Sequence, residues 1–449
     1  MRTEHAIVHG ASFAGLLAAR VLSDVYGSVT VVERDTLPSG TFQRRGVSQG
    51  HHLHQMLSAG VRRLDDLFPG IIDELESVGA VVTRGTGDPS EFHLGVGDVV
   101  FCQSGRFTRS DDMVICLASR PLLEAVVRAR VRGIAHVRVL DGHDVVEPVM
   151  GPQGRVIGTR VVARATGDER LLEGDLVVDT TGRAASIPAF LESQGFDRPG
   201  ETRYDVNLSY SSQLFGIRPG DLDEKVVLAV PTLRRPEGIG IMAYEDDTVI
   251  VTLIGLAGRT TPTESTAFLE AVERFVPAHV MAALRSGEAR GEMRTQRYPV
   301  SIWRRYDRLG RFPDGLLVMG DALCSFNPVY GQGMTSAALQ AVALRSCLRD
   351  GPEGLSRRFF RAAATKLSPI WWSNRFLDWA IIPSAAGPTS LQKAVNVGMD
   401  RIYAAAGSDV GVAETVYRQM QLLGRPTDVL RPSILTRVVS GNRRARTPG

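Results

Sequence analysis

The chain has 449 residues, 43% of them apolar and 22% charged, with a formal net charge of +3. That is the composition of an ordinary globular chain with two or three domains' worth of core, and so small a charge gives no reason to expect nucleic acid or an anionic membrane as partner. Four cysteines without CxxC spacing argue against a zinc site or a disulfide framework and for free thiols in a reducing cytoplasm; no uninterrupted apolar run approaches ~18 residues, so no membrane span is expected.

The first predicted element is a short apolar strand, Ala6 to Val8. It is followed by Gly10, Ser12 and Gly15 in the pattern G-x-S-x-x-G, then by a helix carrying Leu16, Leu17 and Ala19. The glycines punctuate this apolar stretch as a strand-turn-helix, not as a signal peptide. A second strand, Val29 to Val32, ends in Glu33 and Arg34. Strand, glycine turn, helix, strand and acid fall at the spacings of a dinucleotide fingerprint. Gly10 makes the tight turn, the segment Ser12, Phe13, Ala14 lets backbone approach a pyrophosphate, and Gly15 lets helix and strand pack closely. Glu33 is placed to bind ribose hydroxyls. Ser12 stands where the middle glycine is usual.

Next comes FQRRGVSQGHHLHQML. Arg44 or Arg45 can pair with a pyrophosphate as the chain returns from the second strand. His51 and His54 lie at i, i+3, but no carboxylate stands at a matching spacing, so they read as pocket-lining or backbone-bonded histidines and no metal is expected.

Further on, DLVVDTTGRAAS gives an apolar strand, Leu176 to Val178, ending in Asp179 and Gly182. The region VNLSYSSQLFGI to TVIVTLIGLAG is β-rich, with alternation and turn signals. TESTAFLEAVERFVPAHVMAALRS reads as a helix. Then GDALCSFNPVYGQGMTSAAL ends a strand, Leu316 to Met319, with Gly320 and Asp321, and opens a helix at Gly331, Gln332 and Gly333. Small residues at a helix start lay backbone open to an anionic or planar ligand. After Asp350 the sequence is helical and aromatic, with Phe359, Phe360, Trp371, Trp372, Phe376 and Trp379. These fit either a cap packed on the core or an apolar tunnel. The tail SGNRRARTPG reads as a solvated, frayed end.

Three motifs in this order resemble the flavoprotein monooxygenases of the para-hydroxybenzoate hydroxylase type. In that family an N-terminal G-x-G-x-x-G, a central D-G segment and a late G-D segment surround one FAD. The resemblance implies an α/β fold: a Rossmann-like, glutathione-reductase-type FAD-binding domain interleaved with a β-sheet substrate domain, plus C-terminal helices. The FAD-binding pieces would be 1–75, 105–190 and 295–350, the substrate domain 76–104 and 191–294, and the C-terminal helical region 351–449. It implies that Arg44 and Arg120 lie beside the cofactor, that Val145 presents backbone to the adenine and that Thr181 and Gly182 form the central segment. Asp321 would hold the ribityl chain, and Pro328 with Gly331, Gln332, Gly333 and Met334 would approach the isoalloxazine. Tyr330 is a candidate for the cavity wall; no catalytic residue is singled out.

The segments RRGVSQGHHLH and GDALCSFNPVYGQGM, with Cys324 and Asn-Pro where His and Pro-Pro are usual, look like the actinobacterial branch that includes polyether-pathway epoxidases and squalene-epoxidase-like enzymes. The activity implied is insertion of one oxygen atom of O2, through a flavin C4a-hydroperoxide, into a hydrophobic secondary metabolite, with epoxidation of a polyketide or terpenoid alkene foremost. NAD(P)H would supply electrons transiently, directly or through a separate flavin reductase, since no second G-x-G-x-x-G is present. An aromatic polyketide hydroxylase and a geranylgeranyl-reductase-like enzyme share these motifs; a flavin halogenase is not expected, because its central W-x-W-x-I-P is absent from this chain. A non-catalytic FAD-binding partner is the alternative from a different class.

Overall fold

In the computed structural model, which describes residues 4–384 and 387–444, the sheet that receives all three motifs has five parallel strands. Their order is Leu316–Val318, Leu176–Asp179, His5–His9, Ser28–Val32 and Val137–Leu140. These strands are short apolar runs because both faces are covered. Ile7, Val8, Val177 and Val178 are fully buried. The helices Phe13–Ser23, Arg120–Arg132 and Gly333–Arg349 pack here, in one core with Leu16, Leu123 and Leu344. A three-stranded antiparallel sheet, His143–Met150, Val156–Ala163 and Glu169–Glu173, is inserted after the last parallel strand in the order.

The second large layer is an eight-stranded sheet. Its central members are Glu288–Arg304, Glu201–Gly216, Thr248–Gly255, Glu237–Tyr244 and Val226–Val230. Phe92–Val96 joins it in parallel beside Val226–Val230, and Cys324–Ser325 closes the other edge against Ile302 and Trp303. Period-2 alternation sends Val227, Ile239, Ile241 and Val251 to one face. There they pack on the helices Ser265–Glu273 and Ala278–Ser286. Val226, Met242 and Ile250 go to the other face with Phe92, Leu94 and the helix Val410–Met420.

Three expectations need correction. The single helix expected from TESTAF onward is two helices, broken before Pro277, whose ring removes a backbone N–H from the ladder. The strand Glu288–Arg304 stays hydrogen-bonded in the eight-stranded sheet to its last residue, so this layer runs past the boundary drawn at 295. The tail is not frayed from Ser440: the helix Pro432–Arg444 includes its first half, and 445–449 lie outside the described residues.

Of the C-terminal aromatics, Phe359, Phe360 and Trp371 are buried in the core, Trp372 and Phe376 are about half exposed, and Phe376 also borders the large cavity described below. No described helix is long and apolar enough to cross a membrane.

Candidate functional site

The three motif loops leave the same ends of adjacent parallel strands, and between them lies a cavity of about 1120 Å³. The first loop begins at Gly10, whose φ of +90° only glycine adopts without strain. A Cβ on Gly15 would stand 1.9 Å from the Gly10 carbonyl oxygen, so Gly15 is a packing glycine and does not line the cavity. Glu33, at the end of the second strand, accepts from the backbone N–H groups of Ala11 (2.7 Å) and Asp35 (3.0 Å), which pins its carboxylate at the cavity wall.

Ser12 does not cap the helix that follows it. Its hydroxyl donates to Glu124 Oε1 at 2.6 Å, and Arg120 donates to Ser12 Oγ at 2.8 Å. Glu124 also accepts from Arg120 (2.7 Å) and Arg44 (2.9 Å), all three side chains being buried. Burial alone would raise the Glu124 pKa; the two guanidinium groups outweigh it and hold the carboxyl near 2. Arg44 reaches Glu33 as well, at 3.3 Å. The sequence reading missed Glu124, although its i, i+4 spacing from Arg120 was a visible signal. Of the arginine pair, Arg44 is inside and Arg45 is exposed and off the cavity. Arg34 borders the cavity but is largely exposed, 4.0 Å from Asp144. Val145 lines the same end.

In the central loop, the Thr181 hydroxyl donates to Asp179 Oδ1 at 2.7 Å, and Gly182 has φ +83°. Asp179 Oδ2 and His9 Nε2 are buried without hydrogen-bond partners among the described residues.

The late loop starts at Gly320, φ +71°, whose N–H donates to Gln340 Oε1 at 2.8 Å. A Cβ there would come within 2.7 Å of the Ala14 Cβ. The close approach brings the two ends of the chain's motif set into contact. Asp321 lines the cavity; burial pushes its carboxyl up, partly offset by Arg120 and Arg183. Pro328–Tyr330 forms a single 3-10 turn, Gly331 takes φ +64°, and the 17-residue helix starts at Gly333 with no side-chain cap and open space where a Cβ would be. Uncapped N–H groups at a helix start attract an anion or a polar ring edge. Pro328, Gly331, Gln332, Gly333 and Met334 all line the cavity.

This loop is braced from the C-terminal side. Asp378, on the helix Leu355–Ile381, accepts at Oδ1 from the Asn327 side-chain N–H and from the Tyr330 hydroxyl, both at 2.8 Å. One turn earlier, Asn374 donates to Gln332 Oε1 at 2.7 Å. Asp378 is 2% exposed, and burial pushes its carboxyl up to about 6 against the downward pull of its hydrogen bonds.

Beyond the loop the cavity widens into an apolar chamber. Its walls include Phe92, Leu94, Met242, Leu256, Phe326 and Tyr298. His51 is exposed, whereas His52 and His54 border this space, both held neutral by burial with pKa near 4. Among the described residues no cluster of three or more His, Cys, Asp or Glu is arranged to hold a metal.

A long, polar-then-apolar crevice at the ends of a parallel sheet, roofed by an antiparallel one, is the fold shared by FAD-dependent monooxygenases. It superposes on p-nitrophenol 4-monooxygenase PnpA from Pseudomonas putida DLL-E4 with a TM-score of 0.67 at 15% identity, over 95% of this chain and 100% of that one. On Pseudomonas aeruginosa PqsL in complex with 2-aminobenzoylacetate the TM-score is 0.62 at 17% identity, over 85% and 95%. The chain belongs to the family of Protein Rv3254 of Mycobacterium tuberculosis (strain ATCC 25618 / H37Rv). The two are 35% identical over 451 residues, spanning 98% of this chain and 94% of that protein. No family model matches.

Proposed function

We propose that the protein is a FAD-dependent monooxygenase that transfers one oxygen atom of O2 to a hydrophobic substrate, with an alkene in a polyketide or terpenoid chain as the preferred acceptor. The observation that carries this reading is the continuity of one cavity. It runs from the Gly10 turn and Glu33, past Arg44, Arg120 and Asp321, to the open helix start at Gly333, and on into an apolar chamber.

The residues fit FAD. Glu33 suits the adenosine ribose, Arg44 and Arg120 the pyrophosphate, Asp321 the ribityl hydroxyls, and the 328–334 loop the flavin ring. Bound there, FAD would supply the reduction by NAD(P)H and the activation of O2. The chain's own part is to orient the substrate, exclude water and offer hydrogen bonds at the ring edge. A phenolic substrate needs a base to raise its nucleophilicity, whereas an alkene needs placement alone. In the chamber wall His52 and His54 are held neutral with pKa near 4, and burial pushes Tyr210, Tyr298 and Tyr330 above the ordinary phenol range. Asp378, with a pKa near 6, stands behind Tyr330 and does not line the cavity; the residues that do line the chamber are poor in bases near pH 7, which supports alkene epoxidation.

The test is FAD-loaded protein, NADPH with a flavin reductase, isotope-labelled O2 and a panel of polyenes. Incorporation of a single labelled oxygen into an epoxide is the expected result. Hydrogenated product without oxygen uptake would replace this reading with a flavin reductase of alkenes, and a ring-hydroxylated product from an aromatic panel would replace the acceptor.

A further inference from the structure

One polar device in the apolar chamber is not used by the cofactor site. His52, on the loop that precedes the strand Gln55–Met56, is 6% exposed and borders the cavity. Its Nδ1 shares a hydrogen bond of 2.9 Å with Ser212 Oγ on the strand Glu201–Gly216. Ser212 is itself 1% exposed and bonded at 2.7 Å to Thr252 Oγ1 on the next strand. The imidazole also packs against Tyr210, ring centroids 4.7 Å apart. Two strands and a ring face therefore fix the orientation of this side chain.

The other ring nitrogen, Nε2, has no hydrogen-bond partner among the described residues and keeps accessible surface, on a side chain that borders the cavity. A ring held this firmly, with one nitrogen spent on the sheet and the other open to a hydrophobic space, is the pattern of a recognition group and not of a packing residue. Around it the wall is apolar: Leu53, Met242, Ile254 and Leu256 line the same space. Of the charged side chains that border the cavity, Glu33, Arg34, Arg44 and Asp179 lie with the Gly10 and central loops, Arg62, Lys366 and Asp400 are exposed, and Arg120 is close enough to His54 to help lower its pKa.

We propose that His52, oriented by Ser212 and Thr252, is a specificity-determining residue that hydrogen-bonds one neutral polar group, a hydroxyl or ketone carbonyl, on an otherwise hydrophobic substrate. The inference rests on the chamber being the substrate site of the function proposed above. A carboxylate is disfavoured, because it would enter a largely apolar wall beside a neutral imidazole, and Arg183, stacked on the Tyr298 ring at 4.0 Å, already donates to the Val300 carbonyl. The tautomer decides whether Nε2 donates or accepts; in both cases one neutral partner satisfies it. A hydrocarbon lacking that group leaves Nε2 desolvated and unpaired, and a site built for a hydrogen bond discriminates against it.

The experiment uses FAD-loaded protein and three probes of one shape: 2-naphthol, naphthalene and 2-naphthoate, with binding read by equilibrium dialysis. Wild type is expected to bind 2-naphthol about 3- to 10-fold more tightly than naphthalene, and 2-naphthoate more weakly than 2-naphthol. His52→Phe should keep naphthalene binding and FAD occupancy while removing the gain from the hydroxyl. His52→Gln, which retains a donor and an acceptor, should restore part of it. The proposal is overturned if the hydroxyl brings no gain in wild type, if the gain survives in His52→Phe, or if 2-naphthoate binds best. The wild-type comparison decides even where the phenylalanine variant fails to fold. Binding needs neither oxygen nor reductant, so a protein that transfers no oxygen yet shows the His52-dependent preference refutes the proposed reaction and leaves this assignment standing.

Discussion

Replacing Asp378 by Asn isolates one titration beneath the 328–334 loop. Both hydrogen bonds to this side chain arrive at Oδ1, from Asn327 and Tyr330, and Oδ2 has no partner among the described residues. An Asn carbonyl oxygen can accept both donors, so the geometry survives and the charge does not. Burial raises the Asp378 pKa from 3.8 to about 6. A carboxyl whose folded pKa is raised contributes stability that is complete below the unfolded value and is lost as pH rises through the folded one. That gap is worth about 3 kcal/mol in all, of which about 1.4 kcal/mol falls between pH 5 and pH 7.5. Wild type should therefore lose about 1.4 kcal/mol relative to Asp378→Asn over this window. Denaturant unfolding of both proteins, followed by the fluorescence of buried tryptophans such as Trp371, reads the difference, because every other titration cancels. A stability gap that stays constant from pH 5 to pH 7.5 would show that the carboxyl is not raised, and the account of the loop's brace would lose its electrostatic half.

Two further outcomes follow from the proposed cofactor site. Glu124→Ala strips Arg44 and Arg120 of a shared, buried carboxylate, which should cost the FAD-free protein about 3–5 kcal/mol. If both arginines face the pyrophosphate, FAD supplies the missing anion, so the deficit in thermal and denaturant unfolding should be smaller in FAD-loaded protein; equal deficits refute that placement. Asp321→Ala should lower FAD affinity at least about tenfold, the scale of one lost charge-assisted hydrogen bond; unchanged occupancy in equilibrium dialysis sinks the ribityl assignment.

The motif loops were legible in the sequence because each is local. A tight glycine turn after a short apolar strand is written in about six consecutive residues, and Gly10, Gly182, Gly320 and Gly331 all take the positive φ that makes them necessary. Side-chain partnerships across the chain were not legible. Nothing near Ser12 says that its hydroxyl turns away from the helix to Glu124, 112 residues on. Arg44 and Arg45 are chemically the same, and only the path of the loop puts one inside and the other in solvent. Asp378 drew no notice in the sequence, because its buried partner is set by a loop 51 residues earlier. The two-helix break at Pro277 was readable in principle, and the helical spacing of apolar residues on both sides masked it.

The chain order explains why the site is spread over about 300 residues and is still one crevice. Strands in a sheet lie about 4.8 Å apart. The strands that precede the three motif loops, His5–His9, Leu176–Asp179 and Leu316–Val318, are immediate neighbours in parallel register. Their carboxyl ends therefore open on one side, where such sheets bind ligands. The contact of Gly320 with Ala14 closes the set sterically. What sequence distance separates, strand order reunites, and the same logic extends to the C-terminal helices. Asn374 and Asp378 are one helical turn apart, so they share a face, and that face holds Gln332, Asn327 and Tyr330. The helix Leu355–Ile381 is thus part of the wall that shapes the late loop, and its aromatic residues divide accordingly: Trp371 is fully buried against Tyr204, Trp303 and Phe326 on the core side, while Phe376, about half exposed, borders the cavity.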